Sequence, residues 1–205
     1  MPTPTATGHR PVRVLEGRAA LLAGLLAAAL SGCGGEGPTP AGVGPVKAPK
    51  GFTNLTGTGF TIAAPDTFKP ESQRSTNGEP KLTLNARPRQ QGDDPTLVAV
   101  IRDNKPRSPV ADQMQVLEDV KRKVQATGVS RQEVRWPGAR QAFVVAWTQQ
   151  TTEPPKAPGP PARNLQLAVQ VDDTLIVNVV ATAPAASFDD TEVATVLRTF
   201  RLIQG

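Results

Sequence analysis

The stretch GGEGPTPAGVGPVKAPK, Gly34 to Lys50, most constrains how this chain can fold. Pro or Gly fills more than half of its positions, and no apolar period runs through it. Such a segment offers few ladder donors and no face to bury, so it reads as a flexible tether over 33–50. Its reach, between the coil favoured by Gly and the extended form favoured by Pro, is roughly 20 to 50 Å. The folded domain is therefore expected over residues 51–205.

What precedes the tether has a different character. Arg10, Arg13 and Arg18 form a positive stretch, and Ala19 to Leu30 contains only Ala, Leu and one Gly. That is the architecture of a signal peptide. The apolar run is well short of the ~20 residues a spanning helix needs. It ends in Leu30-Ser31-Gly32-Cys33, a pattern that resembles the lipobox of bacterial prolipoproteins, in which cleavage falls before a Cys whose thiol carries a diacylglyceryl group. The resemblance implies a signal peptide over 1–32, lipidation of Cys33, and a mature protein on the extracytoplasmic face of the cell membrane. Two acyl chains on one thioether hold stably where a single chain holds only reversibly.

Cleavage there has chemical consequences. His9, the only histidine, leaves with the signal, the chain has no Tyr, and its single thiol is alkylated. Ser-His-Asp and Cys-His catalysis and the common zinc and copper sites all need those groups. No S-x-x-K spacing surrounds the serines of the mature chain. The expectation is no enzyme, no metal and no cofactor. Losing Arg10, Arg13, Arg18 and Glu16 leaves 20 Lys+Arg against 17 Asp+Glu, a mild positive excess. In an exported protein that excess suits anionic envelope polymers or headgroups rather than nucleic acid.

The remaining chain shows strands interrupted twice by helices. Gly59 to Ala63 reads as a strand ending at Pro65, Asn77-Gly78 as a turn, and Lys81 to Arg87 as a strand with Leu82, Leu84 and Ala86 inward and its polar face in water. Thr96 to Arg102 is more uniformly apolar, which fits a central strand covered on both faces. Ser108 as N-cap, Pro109 as first helical residue and Gly128 just past the end bound a helix, with Val110, Met114, Leu117, Val120 and Val124 as its buried stripe and Lys121 to Lys123 on a solvated face. Val129 to Trp136 and Gln141 to Thr152 form a hairpin through Pro137-Gly138. A Pro-rich loop, 153–162, precedes a second hairpin around Asp172-Asp173. Ser187 and Asp190 then read as a capping box for a helix bearing Val193, Val196 and Leu197, and Phe200 to Ile203 closes the chain as a short strand.

This order predicts one α+β domain over 51–205, an antiparallel sheet of about six to seven strands packed with two main helices. With GFTIAAPDTF at Gly59 to Phe68 and VATVLRTFRL at Val193 to Leu202, the layout resembles the PsbP-like αβα-sandwich group, and within it the LpqN-like bacterial lipoproteins. The resemblance implies an accessory role in the envelope, binding a partner without catalysis.

Two other readings stand beside that one. A carrier of lipid or small apolar ligands would need an enclosed apolar cavity. A carboxylate-based hydrolase would need paired acids, and Asp93-Asp94, Asp172-Asp173 and Asp189-Asp190 all sit where turns or caps explain them. For a partner, an envelope protein, the candidate surface is Val129 to Arg140. There Arg131, Glu133 and Arg135 alternate onto one exposed face and Val134 and Trp136 onto the other, with Arg131, Arg135, Trp136 and Arg140 as contact residues. An edge strand also carries such charges merely to prevent pairing.

Overall fold

A computed structural model describes residues 43–74, 80–86, 96–150 and 159–203. The apolar run, Cys33, the Asn77-Gly78 turn, Asp93-Asp94 and most of the Pro-rich loop lie outside the described residues.

The chain enters as a hairpin of β1 (Phe52–Gly57) and β2 (Phe60–Pro65), antiparallel, with Phe52 opposite Pro65 and Gly57 opposite Phe60. Gly59, at φ +79°, closes the turn, a conformation that costs Gly least. The Phe60 ring lies where a side chain on Gly57 would be, so only Gly fits beneath it. The last strand, β10 (Arg201–Leu202), pairs with the other side of β2 and completes a three-stranded sheet.

The larger sheet has seven antiparallel strands in the order β3-β4-β5-β9-β8-β7-β6. They are β3 (Lys69–Arg74), β4 (Pro80–Asn85), β5 (Leu97–Asp103), β6 (Thr127–Glu133), β7 (Gln141–Gln150), β8 (Pro161–Gln170) and β9 (Ile176–Pro184). Helix α1 (Val110–Lys123) carries the chain from β5 to the far edge, and β6 to β9 then meander back until β9 pairs with β5. The expected α+β class is thus observed, with the small sheet as an addition. The Pro-rich loop ends two residues earlier than expected, because Pro161 and Ala162 already pair with Gln150 and Gln149.

Register assigns the two faces. Val144, Leu167, Val179 and Val100 stand opposite one another across four strands. They pack against Phe60, Ile62, Phe188, Phe200 and helix α2 (Val193–Arg198). On the other face Phe143, Val145, Trp147, Ala168 and Ile176 lie under Val110 and Met114 of α1. All of these apart from Phe60, Phe143, Trp147, Phe188 and Met114 are at most 1–2 % exposed, and those five no more than 6 %. Thr83 corrects the expectation that the polar face of β4 sees water: it is buried, and its Oγ1 has no hydrogen-bond partner among the described residues.

Both helices depart from their sequence signals at the ends. Ser108 does not cap α1; the N-cap position is Pro109, and the first free N–H, on Val110, donates to Gln170 Oε1 of β8 at 3.1 Å. At the other end Ala126 N–H donates to Lys121 O and Gln125 N–H to Arg122 O, a Schellman motif whose left-handed residue is Gln125 at φ +58°. Gly128 instead sits in β6, at φ +61°, where the register with β7 shifts. The buried stripe is likewise shorter than expected. Val110 and Met114 are buried and Leu117 partly so, whereas Val120 and Val124 are exposed. Lys121 takes the inward position in the last turn, its Nζ 4.7 Å from the Trp147 ring centroid and 2.8 Å from Gln149 Oε1. Burial there pushes the Lys121 pKa down. Ser187 and Asp190 do not cap α2: they belong to a 3₁₀ turn, Ala185–Asp190, and Glu192 holds the N-cap position without a side-chain bond.

The end of the expected tether is held on the domain. Val46 N–H donates to Arg198 O at 2.9 Å, Arg198 Nε to Gly44 O at 2.9 Å, and Arg201 to Val46 O. Arg198 is the last residue of α2, so Val46 satisfies a carbonyl the helix leaves unbonded. Val43 packs against the core.

Candidate functional site

Strand β6 ends at Glu133 because the chain turns out of the ladder there. Val134 N–H still donates to Ala142 O at 2.9 Å, and then Trp136-Pro137-Gly138-Ala139 makes a turn closed by Ala139 N–H to Trp136 O at 3.1 Å. Pro at the second position and Gly138 at φ +80° in the third define type II. The turn sets Trp136 inward, 4 % exposed, and leaves Arg135 and Arg140 in solvent. Arg140 N–H donates to Gln170 O at 2.8 Å, which ties the start of β7 to the end of β8.

Glu133, Arg135, Trp136, Arg140 and Gln141 surround a cavity of about 560 Å³ over Val134, Ala139 and Ala142. A smaller cavity of about 290 Å³ adjoins it beside the start of α1 and shares Glu133, Arg140 and Gln141, with Pro109, Gln170 and Asp173 as its other walls. Gln141 Nε2 donates to Glu133 Oε1 at 3.2 Å, and Arg140 pairs with Asp173 at 2.6 Å. Both side chains of that pair are largely exposed, so its net contribution is small. Arg135 makes no hydrogen bond or ion pair among the described residues. Trp136 Nε1 is buried with no acceptor among the described residues.

Three of the four contact residues read from the sequence, Arg135, Trp136 and Arg140, therefore meet at one cavity. Arg131 does not. It faces α1, with Nε 3.0 Å from Glu118 Oε2, Nη2 2.7 Å from Gln115 Oε1 and its guanidinium 5.3 Å from the Phe143 ring centroid. The expected exposed Arg face is thus corrected: the alternation that would align Arg131 with Arg135 stops where the strand stops, and α1 covers the first of the pair. Glu118 also accepts from Arg122 at 2.8 Å, and that hydrogen bond, followed by the one from Arg131, holds its pKa below the usual carboxylate range. Sequence reasoning did not place Gln141, Gln170 or Asp173 at this surface. No sequence signal brings Gln170 or Asp173 to Arg140, since β8 approaches Arg140 only through strand order.

The site's chemistry is that of donors. Neither cavity has the apolar lining a lipid carrier needs. Of the acid pairs considered for hydrolysis, three of the described carboxylates make other contacts: Asp172 Oδ1 accepts from Thr174 N–H and Oγ1, which lowers its pKa, Asp173 meets Arg140, and Asp189 meets Arg163. Among the described residues no group of three or more His, Cys, Asp or Glu is placed to hold a metal ion. No described helix is long and apolar enough to cross a membrane. A search of family models and of curated proteins finds no match to this chain.

Proposed function

We propose that the chain is a non-catalytic binding module of the bacterial cell envelope, anchored to the membrane through lipidated Cys33, that offers the cavity at the β6–β7 turn to an envelope protein. The observation that carries this reading is the convergence at the edge of the sheet of Arg135, unpaired among the described residues, with Arg140 and a buried Trp136. Arg and Trp are the side chains most often found as interface anchors. The anchor rests on Arg10 to Cys33 and their resemblance to prolipoprotein signals. The binding role agrees with what the PsbP-like resemblance implies.

Two measurements test it together. In detergent phase separation the wild type should enter the detergent phase, and Cys33→Ala should be released or left unprocessed; full membrane retention of a processed alanine variant would refute the anchor. A photo-crosslinking residue placed at Gln132 or Arg135 in cells should capture a partner that the same residue at Glu71, on the opposite edge strand, does not. Equal capture from both edges would remove the cavity from the account.

A further inference from the structure

We propose that the small sheet and the segment docked on it form a second membrane contact, a cationic face that lies on anionic phospholipid headgroups; this rests on the Cys33 anchor and adds the surface that the anchor brings to the bilayer. The signs of the charges carry it. Residues 43–65 and 193–203, which include the docked segment, β1, β2, α2 and β10, hold Lys47, Lys50, Arg198 and Arg201 and not one Asp or Glu. None of the four makes an ion pair among the described residues. Arg198 and Arg201 spend donors on the carbonyls of Gly44 and Val46, which fixes the segment and leaves both charges uncompensated. Asp66 and Glu192 border the layer, just past β2 and just before α2, and with both counted the excess stays positive. Helix α1, on the other side of the large sheet, sets Asp112, Glu118 and Asp119 against Lys121, Arg122 and Lys123 and carries no excess.

Strand alternation turns part of this layer outward. Phe60 and Ile62 of β2 are buried in the core, so Thr61 between them faces away from it, and Thr56 of β1 and Arg201 of β10 stand on either side of Thr61. Thr56 is exposed, as are Lys47 and Lys50. Ile203, two residues beyond Arg201 and 46 % exposed, adds an apolar side chain. Cations beside an exposed aliphatic group suit phosphate headgroups lying over hydrocarbon. Chain length points the same way. Val43 is ten positions from Cys33, a span of at most about 36 Å, so a lipidated Cys33 holds this layer within reach of the bilayer. Tethering makes the docking step intramolecular, and a modest attraction per cation then suffices. One acylated residue with one basic patch is a two-signal anchor.

The experiment uses the full chain, isolated from membranes in detergent and returned to vesicles of phosphatidylcholine alone or with phosphatidylglycerol added. Thr56→Cys carries an environment-sensitive fluorophore on the proposed face, and Val116→Cys, at a position 60 % exposed on α1, carries it on the far side. With the native thiol lipidated, each variant takes one label. The expected result is a blue-shifted emission of the Thr56 label, quenched by nitroxide headgroups, in phosphatidylglycerol vesicles, with no such shift in phosphatidylcholine alone and none for the Val116 label in either. Salt at about 1 M, where the screening length falls to roughly 3 Å, should abolish the shift while the protein stays on the vesicles. Lys47→Gln combined with Lys50→Gln should lower the docked-to-free ratio by on the order of tenfold, the loss of two cations near an anionic surface. The proposal is overturned if the Thr56 label reads alike in both lipids, if the Val116 label shifts as far, if the lysine variant matches wild type, or if the shift fades as the protein is diluted in lipid, which would make a second copy the occupant. Two labels per chain would mark Cys33 as free and overturn the anchor together with this proposal; one label with unchanged emission overturns this proposal alone.

Discussion

At the scale of single residues, Thr199 joins α2 to the small sheet through one hydroxyl. Its Oγ1 accepts from Ala63 N–H at 2.8 Å and lies within donating distance of Ala63 O and Val196 O, while the residue is 5 % exposed. Thr199→Val keeps the shape and strands a buried N–H, so it should lower stability by about 1–3 kcal/mol in urea unfolding. A loss below ~0.5 kcal/mol would mean that the contact is dispensable. Glu118 makes a pH-dependent contribution. Its pKa is depressed in the folded state, so the stability it adds is present above the unfolded glutamate value and is lost as pH falls through the lower folded value. Glu118→Gln should therefore be less stable than wild type near neutral pH, by about 0.5–1 kcal/mol for partly exposed pairs. The gap should close in acid below the ordinary glutamate range, and thermal melts across that range would show it. A gap that widened in acid would reverse the assignment. Neither role is visible in the sequence, because Glu118 meets Arg131 and Thr199 meets Ala63 across distant chain positions.

At the scale of elements, α1 shows how far local signals reach. Its existence and length follow from the period of Val110, Met114 and Leu117, but its caps were settled by neighbours: Gln170 of β8 satisfies the first N–H, and Gln125 adopts the left-handed conformation at the exit. A non-Gly residue pays roughly 1–2 kcal/mol there. Gln125→Gly should consequently raise the denaturant midpoint by about 1 kcal/mol of stability without changing the slope, whereas Gly128→Ala, in the strand irregularity at φ +61°, should lower it. If both changes proved neutral, the motif would carry no strain. Val120 and Val124 look like core residues by spacing alone. They are exposed because Lys121, a long side chain able to lie along an aromatic face, claims Trp147.

At the scale of the whole molecule, the segment before β1 belongs to the fold. A chain beginning at Val43 keeps the bonds from Gly44 and Val46 to Arg198 and Arg201, and one beginning at Gly51 loses them. At ~1 kcal/mol per bond the shorter chain should melt lower by on the order of 5–10 °C. Equal melting temperatures in calorimetry would show that the segment only rests on the surface.

The sequence by itself determined the α+β class, the central strand at Thr96 to Arg102, both later hairpins and the Pro137-Gly138 turn, because each depends on residues within a few positions of one another. It also brought Arg135, Trp136 and Arg140 together, since one tight turn joins them. Only the tertiary structure decided that a second sheet forms, that Arg131 is spent on α1, that Gln170 and Asp173 border the site, and that the last of the Pro/Gly segment is ordered. Those outcomes depend on which strands become neighbours and which backbone groups are left without partners once they do, and near-neighbour patterns carry no information about either.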